Sequence, residues 1–501
     1  MTEAPYGKLV RLLQHADRIG SVFSLLSWDE QVNLPTASSA RRAAQSATLA
    51  ELHHRAAVDP GIGDALAELE AASGELDEAS RRQVMLARRD YDRARRLPAE
   101  FVAAKAALDS EAFHAWCGAR KDSDFAAFAP YLRRQVNMAR EEATLMGFGD
   151  RVYDYLLDKH DPGLTADYVT KVFGELRASV VPFVERILGA GVISRKAEMK
   201  GFAVAEQESF LREVVGRLGF DFTRGRIDVA VHPFCSGDGA DTRLTTRFSG
   251  DDPLSSLYGA IHEAGHGMYE QGLPREWLGT PLGSAVGMAV HESQSRLWEN
   301  QVGRGRAFWT FFEGAYRARF GDRLADWSSA DLMLAVNSVA REPIRVEADE
   351  VTYNLHVILR FEIERRLFDG GLEVAELPAA WNDLSRRLLG LIPEDDAHGV
   401  LQDVHWSGGA FGYFPSYTLG NMMAAQLWFA ALKAMPDLEE DFARGEFGRL
   451  LGWLRAEVHA HGRRFDTRAL VRKVTGEDLS PVHLMRYLEE RYAPLYLPAT
   501  R

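Results

Sequence analysis

Cysteine is scarce in this sequence, and its scarcity excludes a disulfide framework. The 501 residues contain two cysteines, Cys117 and Cys235, which stand far apart in the chain. A chain of this length without such a framework is typical of a reducing compartment. The first residues carry charges throughout and lack the apolar segment of a secretory signal. We therefore expect a cytoplasmic protein.

Long hydrophobic runs and an excess of positive charge are also absent. The longest apolar run, around residues 422–435, is too short to cross a bilayer and predicts a buried helix. The 72 Asp and Glu outnumber the 59 Lys and Arg, which gives a formal net charge of -13. Such a surface favours solubility and argues against nucleic acid or an anionic membrane as the main partner.

Helical patterning dominates what the sequence does contain. The chain is 46% hydrophobic, enough for a large core, and neither an internal repeat nor a low-complexity linker divides it. Apolar residues at three- and four-residue steps predict one buried helical stripe in the first hundred residues. Its members are Val84, Ala87, Tyr91 and Ala94.

The helical pattern of apolar residues gives way to alternating apolar residues near residue 226. The segment RIDVAVHPF alternates apolar residues, and DTRLTTRFS follows a glycine-rich turn at residues 237–239. This pattern predicts two short antiparallel strands. Helical patterning resumes at Pro253 and continues to the end of the sequence, so we expect a mainly α fold with a small sheet beside the middle of the chain.

The segment AIHEAGHGMYEQG carries the most specific motif of the chain. Residues four apart on a helix share a face, so the imidazoles of His262 and His266 can point at one ion. Glu263 beside them can handle a water molecule, which is the arrangement found in zinc peptidases. The plain structural alternative is a helix with two hydrogen-bonded histidines on a polar face.

A hydrolytic zinc site needs a third protein ligand and one open position for water. The segment AVHESQSRLWENQ follows a connection that contains Gly and Pro, and from chemistry alone it offers His291, Glu292 and Gln294. We favour the carboxylate of Glu292, with His291 orienting a ligand. An ordinary surface glutamate is the alternative.

Such a site predicts hydrolysis without a covalent intermediate. The metal would lower the pKa of water and polarise the scissile carbonyl, and Glu263 would be the general base. The chain contains neither a G-x-S-x-G nucleophile elbow nor a cysteine in a reactive context.

Residues outside the metal motif would bind the peptide. His232, Asp241 and Arg243 lie in or beside the predicted strands, where an extended substrate could pair by strand addition. Arg345 stands among acidic residues. A plain ion pair is one interpretation of Arg345, and a site for the free carboxylate of a substrate is the other.

A later segment, from GVLQDVHW to GYFPSYTLGN, combines His, Trp and Tyr with several Gly and Pro. That composition predicts a loop rather than a helix. His405 and Tyr417 could donate to a developing oxyanion. Packed aromatic residues are an equally good explanation of the same segment.

Together these motifs resemble the carboxypeptidase Taq family of thermostable metallocarboxypeptidases. Six stand in the order of that family: HPF at 232, DTRLT at 241, HEAGH at 262, HESQ at 291, IRVEAD at 344 and GVLQDVHW at 399. WDEQVNLP beginning at Trp28 and FPSYTLGN ending at Asn421 also match. The resemblance therefore covers nearly the whole chain.

The resemblance implies an elongated, mostly helical single-domain fold with a deep central groove and a small antiparallel sheet beside the H-E-x-x-H helix, usually assembled as a homodimer. The domain would span residues 1–501, with a helical part at 1–225, the sheet at 226–250 and a helical catalytic part at 251–501. It implies that His262, His266 and Glu292 bind zinc, which cobalt can replace, and that Glu263 is the catalytic base.

For the substrate, the resemblance implies that Arg345 binds the terminal carboxylate, helped by Tyr417 and His405. Family members release single C-terminal residues from peptides with broad preference. The expected partners are therefore peptides with a free C-terminal carboxylate.

Two other functions compete with this one. A zinc oligopeptidase or dipeptidyl carboxypeptidase would share the H-E-x-x-H helix and a distant glutamate, so only the reaction products separate them. A helical scaffold or peptide-binding protein with a vestigial metal site is the non-enzymatic alternative. Such a site should have lost Glu263 or a ligand, and all of these residues are present.

Overall fold

The computed structural model describes residues 4–497, which contain twenty α-helices and one small three-stranded sheet. The helices are α1 (Pro5–Val32), α2 (Ser39–Ala57), α3 (Pro60–Ala71), α4 (Glu78–Arg96), α5 (Ala99–Asp122), α6 (Phe125–Leu145), α7 (Val152–His160), α8 (Ala166–Gly189), α9 (Val204–Leu218), α10 (Pro253–Glu270), α11 (Met288–Arg296), α12 (Arg306–Phe320), α13 (Ser329–Val336), α14 (Tyr353–Phe368), α15 (Leu377–Leu389), α16 (Phe414–Ala434), α17 (Leu438–Ala443), α18 (Gly448–Glu457), α19 (Thr467–Thr475) and α20 (Pro481–Tyr496). The strands are β1 (Gly225–Val229), β2 (Cys235–Gly237) and β3 (Thr242–Thr246). The prediction of a mainly α fold with a small sheet is confirmed.

Most of the buried apolar residues among positions 4–497 form two clusters. The larger one runs from Leu108 to Tyr496 and includes residues of the sheet and of most helices from α5 onward. The smaller one packs α1, α3 and α4 together and contains Val84, Ala87 and Tyr91 of the predicted stripe. Ala94, the fourth predicted member, is only half-buried. Helix α3 begins at Pro60, and Asp59 before it accepts a hydrogen bond from the N–H of Gly61.

The sheet corrects one prediction. Its strand order is β1-β3-β2, with β1 parallel to β3 and β2 antiparallel to β3. The two strands expected to pair in antiparallel fashion, β1 and β3, therefore run in the same direction. The glycine-rich turn is the reason: Gly237 has a φ of 95°, and the turn joins β3 to a third strand, β2, rather than to β1. Since β2 takes one edge of β3, β1 pairs with the other edge.

The sheet lies against α10, the helix that carries the H-E-x-x-H motif. A Cβ atom on Gly267 of α10 would lie 3.0 Å from the side chain of Leu244 on β3 and 2.7 Å from that of Phe220. Only a residue without a side chain permits that approach. The small sheet therefore sits beside the motif helix, as expected.

Helix α16 corrects a second prediction. The segment GYFPSYTLGN was expected to be a loop, but it is helical from Phe414 onward. Pro415 lies in the first turn of α16, where its missing N–H has no partner in any case, so it starts the helix and does not break it. The apolar run from Met422 is a buried part of the same helix, as predicted. Among the helices of residues 4–497, none combines the length and the apolar character needed to cross a membrane.

Candidate active site

Three side chains from two helices converge in the middle of the molecule. His262 and His266 lie one turn apart on α10, and Glu292 lies on α11. Oε2 of Glu292 is 3.6 Å from Nε2 of His262 and 3.4 Å from Nε2 of His266. The three potential ligand atoms lie within 4.8 Å of one another. The structure thus brings together the three residues that the sequence singled out as metal ligands.

Two glycines allow α11 to lie this close to its neighbours. A Cβ on Gly265 of α10 would lie 2.6 Å from Cα of Ser295, and one on Gly420 of α16 would lie 2.6 Å from Cγ of Glu292. The backbone of α10 packs against the backbone of α11 at Gly265, and the backbone of α16 packs against the Glu292 side chain at Gly420, so α11 has little room to shift. The position of Glu292 therefore depends on α10 and α16 together.

A buried carboxylate anchors the start of α11. Asp161 accepts hydrogen bonds from the N–H of Ala289, at 2.9 Å, and from the hydroxyl of Ser416 on α16, at 2.6 Å. Only 1% of Asp161 is exposed. Burial raises its pKa to about 6, although the hydrogen bonds from Ser416 and Ala289 oppose the rise. Asp161 thereby ties the helix of Glu292 to α16.

The Nδ1 atom of each of the two imidazoles, His262 and His266, has a hydrogen-bond partner on the side away from Glu292. Nδ1 of His262 lies 2.9 Å from Oε2 of Glu299, and Nδ1 of His266 lies 2.5 Å from Nδ1 of His291. Nε2 of His291 in turn lies 2.8 Å from Oε1 of Glu270. A carboxylate only accepts, so the proton of His262 belongs on Nδ1 and leaves the lone pair of Nε2 facing Glu292. Glu270 likewise fixes the proton of His291 on Nε2, so Nδ1 of His291 accepts a hydrogen bond from Nδ1 of His266. The lone pair of Nε2 of His266 is therefore also free to face Glu292.

Sequence reasoning found only His291 in this supporting layer. Glu299 and Glu270 were missed, although Glu299 follows Glu292 by seven residues and so returns to the same helical face after two turns. The π-helical stretch Leu297–Gly303 continues α11 and carries Glu299.

Charges and protonation states in the group suit a cation. Burial lowers the pKa of His266 to about 3, so its imidazole is neutral at pH 7. Burial alone would raise the pKa of Glu292, but Arg296 and the imidazoles hold it well below its usual range. Burial likewise opposes ionisation of Glu299, while Arg296 and His262 keep its pKa low. Burial opposes protonation of His262, but Glu292 and Glu299 raise its pKa above the usual value. Two ionised carboxylates therefore lie beside the neutral imidazole of His266.

Glu263, the predicted general base, is buried on α10 next to this group. Burial raises its pKa to about 7; the neighbouring Glu292 adds to the rise and His262 opposes it. Cys235 of β2 lies close enough to Glu263 for that carboxylate to add to the rise that burial causes in the thiol pKa. A carboxyl group with a pKa near 7 can both take up and release a proton at neutral pH.

A second buried cluster contains Arg345, which is 5% exposed. Nε and Nη2 of Arg345 donate to Oδ1 of Asp403 at 3.0 and 2.8 Å, and Nη1 donates to the hydroxyl of Tyr353 at 2.8 Å. Arg360, fully buried, donates to the other oxygen of Asp403 at 2.7 Å. The ion-pair interpretation of Arg345 is therefore realised, and its role in binding substrate stays a prediction.

His405 and Tyr417 lie against the same cluster. Nε2 of His405 is 3.1 Å from the hydroxyl of Tyr417, and the guanidinium carbon of Arg345 lies 5.0 Å from the centre of the Tyr417 ring. Burial lowers the pKa of His405 to about 4, so it is neutral at pH 7. Sequence reasoning grouped these three residues correctly and missed Asp403, which precedes His405 by two residues.

The remaining predicted substrate residues are paired or exposed. Nε and Nη2 of Arg243 donate to the carboxylate of Asp241 at 3.0 and 2.9 Å, and the guanidinium carbon of Arg243 lies 4.2 Å from the centre of the Trp28 ring. His232 is exposed in the connection between β1 and β2. Their predicted contact with substrate stays a prediction.

Another group of possible metal ligands lies on the surface. Glu394, Asp395 and His398 also offer atoms within 4.8 Å of one another, but the two carboxylates are exposed and Asp395 already pairs with Nδ1 of His398 at 2.8 Å. It lacks the buried supporting residues of the His262 group, so the His262 group is the better candidate.

Comparison with known proteins identifies the family. The model of the carboxypeptidase Taq (M32) metallopeptidase family matches residues 8–492. The chain belongs to this family. It is 42% identical to thermostable carboxypeptidase 1 of Thermus thermophilus over 507 residues, covering 99% of each chain. It is 35% identical to carboxypeptidase 1 of Bacillus subtilis, covering 97% of each.

A solved structure supports the same assignment. The crystal structure of the M32 carboxypeptidase from Deinococcus radiodurans R1 superposes with a TM-score of 0.95 at 42% identity, covering 99% of this chain and 100% of that one. The chain is therefore a metallocarboxypeptidase, a peptide hydrolase that uses a metal cofactor, and the non-enzymatic alternative is wrong. The resemblance and the fold predicted from it are confirmed for this M32 protein.

Replacing Gly420 by Ala should disturb the metal group. The new methyl would overlap the side chain of Glu292, so we expect a loss of about 1–3 kcal/mol in unfolding free energy and weaker metal binding. Thermal melting and zinc titration measure the two effects. Gly314→Ala is the matched control, because Gly314 is exposed on α12 with no atom near its Cβ position; that change should stabilise by up to about 1 kcal/mol. Equal unfolding free energies and equal zinc affinities in the two variants would contradict the close approach of Gly420 to Glu292.

Asp161→Asn should remove a pH dependence of stability. Burial raises the pKa of Asp161 to about 6 in the folded chain, whereas the ordinary value of an Asp carboxyl group is 3.8. Between these pH values the unfolded chain releases the proton first, so rising pH costs the folded state on the order of 3 kcal/mol. Urea unfolding at pH 4.5 and at pH 7 should show that the stability of wild type relative to the variant falls as the pH rises. Asp64→Asn, on the exposed face of α3, should leave the pH dependence unchanged.

Proposed function

We propose that this M32 protein releases single amino acids from the C-termini of peptides, with broad side-chain preference, at Zn²⁺ bound by His262, His266 and Glu292. The observation that carries the proposal is the meeting of these three side chains within 4.8 Å, next to the buried Glu263. Two imidazole nitrogens and one carboxylate oxygen form the donor set of catalytic zinc in peptidases. Co²⁺ prefers similar ligands and would substitute.

The cofactor and the general base have separate tasks. Bound zinc would act as a Lewis acid and lower the pKa of water toward 7. Glu263 takes the proton from the attacking water and gives it to the leaving amine, a task that suits a carboxyl group with a pKa near 7. Burial of Glu263 keeps bulk water away from that proton.

The second cluster would bind the terminal carboxylate of the substrate. Arg345 and Arg360 share one carboxylate, Asp403, so two positive charges face one negative charge in a buried setting. Nδ1 of His405 is a buried atom and has no hydrogen-bond partner among residues 4–497. An anion that accepts hydrogen bonds would satisfy both the excess charge and that nitrogen. Tyr417 supplies a further hydroxyl, and His232, Asp241 and Arg243 would contact the peptide farther from its end.

Other properties follow from the resemblance to the family. We infer a cytoplasmic homodimer that acts on peptides with a free C-terminus and binds neither nucleic acid nor membrane. We also infer one domain over residues 1–501, with helical, sheet and catalytic parts at 1–225, 226–250 and 251–501. The net charge of -13 argues against nucleic acid as a binding partner.

Glu263→Gln should abolish most activity while the metal stays bound. Glutamine keeps the size of the side chain but carries no exchangeable acid proton, so we expect kcat to fall by about 10²–10⁴-fold. Metal analysis of the purified variant should give the same zinc content as wild type. Glu276→Gln, exposed after α10, is the matched control and should retain full activity. Full activity of Glu263→Gln would rule out the assigned base.

Peptides with a free or an amidated C-terminus test the substrate class. We expect a ladder of single-residue products from the free acid, little cleavage of the amide, and none of either with a chelator present. Arg345→Ala should raise KM for the free acid by about ten- to hundredfold, because a charge-assisted hydrogen bond is lost. Mass spectrometry of the products is decisive: released dipeptides would indicate a dipeptidyl carboxypeptidase, and internal cuts an oligopeptidase.

A further inference from the structure

The two carboxylate oxygens of Glu292 have different partners. Oε2 faces the two imidazoles and accepts a hydrogen bond from the hydroxyl of Ser295 at 3.0 Å. Oε1 accepts a hydrogen bond from Nε of Arg296 at 2.6 Å. Arg296 follows Glu292 by four residues, so the pairing is between neighbours on one helical face. One oxygen is thus turned toward the metal group and the other is held by a guanidinium.

Arg296 is itself fixed on several sides. Its Nη1 lies 3.2 Å from Oε2 of Glu299, the same oxygen that holds His262. Its guanidinium carbon lies 4.6 Å from the centre of the Tyr353 ring, and only 16% of the side chain is exposed. A planar guanidinium with two carboxylates and an aromatic face around it has little freedom to move. Arg296 therefore links the third ligand to the carboxylate that orients the first.

We propose that Arg296 is a positioning residue that limits Glu292 to a single metal-binding oxygen. The inference rests on the proposed zinc site. A carboxylate can bind a cation through one oxygen or through both, and a catalytic zinc ion needs one position free of protein ligands. By holding Oε1, Arg296 keeps that position open for water and for the substrate carbonyl.

This role predicts effects of opposite sign on binding and on catalysis. Without Arg296, Oε1 of Glu292 is free to join Oε2 on the metal, and one positive charge beside the cation is lost. Zinc should then bind more tightly while turnover falls. A residue that only stabilises the fold would lower both when removed.

Arg304 provides a matched control. Its Nη2 lies 3.1 Å from Oε1 of Glu299, so Arg304→Met removes one positive charge from the same carboxylate network without freeing Glu292. We expect the zinc Kd, measured by competition with a chromophoric chelator, to fall about tenfold in Arg296→Met and by less than threefold in Arg304→Met. In the same Arg296→Met protein, kcat should fall more than tenfold with KM little changed. Arg296→Lys keeps the positive charge but not the planar fork, so its zinc Kd should lie between those of wild type and Arg296→Met.

Zinc-loaded crystal structures test the geometry directly. In wild type one oxygen of Glu292 should lie at a bonding distance of about 2.0–2.2 Å from zinc, and in Arg296→Met both should approach it. Two bonded oxygens in wild type, equal Kd changes in the two Met variants, or weaker zinc binding in Arg296→Met would overturn the role of Arg296. If Arg296→Met does not fold, the number of Glu292 oxygens bound to zinc in the wild-type structure and the zinc Kd of Arg296→Lys still test the role of Arg296. A wild-type protein that binds no zinc would instead overturn the proposed function.

Discussion

The site depends on burying the charged carboxylate of Glu292 between three helices. An ionised carboxylate loses most of its hydration when it is only 4% exposed, and this loss must be offset by nearby partners. Arg296, the hydroxyl of Ser295 and the two imidazoles supply those partners. Gly265 and Gly420 make the arrangement possible, because side chains at either position would push the helices apart. The position of Glu292 and the packing of the core therefore depend on each other in this protein.

The same principle recurs around the site. Buried charges are arranged in linked sets, with Glu299 between His262, Arg296 and Arg304, and Asp403 between two arginines. The set at Glu299 orients an imidazole, and the set at Asp403 leaves an excess of positive charge. In the proposed function, the set at Glu299 serves a bound cation and the set at Asp403 serves the anionic end of a peptide. The two sets approach each other at Tyr353, whose ring lies beside Arg296 and whose hydroxyl accepts from Arg345.

The two errors of sequence reasoning have local causes. The glycine turn at 237–239 was correctly located. The strand before it, β2, was missed because it has only three residues and lacks the apolar alternation from which strands are predicted. The antiparallel partner was therefore taken to be β1. In the second case Pro415 was interpreted as a loop residue, although proline is also common in the first turn of a helix. The apolar residues that follow Pro415 pack into the core as part of that helix.

From the sequence alone one can determine the helical class, the spacing of His262 and His266, and the motif order that identifies the family. These follow because helical periodicity and short motifs are local along the chain. The tertiary structure decided the rest: that Glu292 reaches the two histidines, that Glu299 and Glu270 support them, that Arg296 occupies one oxygen of Glu292, and that Asp403 joins Arg345 to Arg360. Contacts between distant segments depend on how helices pack to within a few tenths of an ångström, and no spacing along the chain encodes that distance.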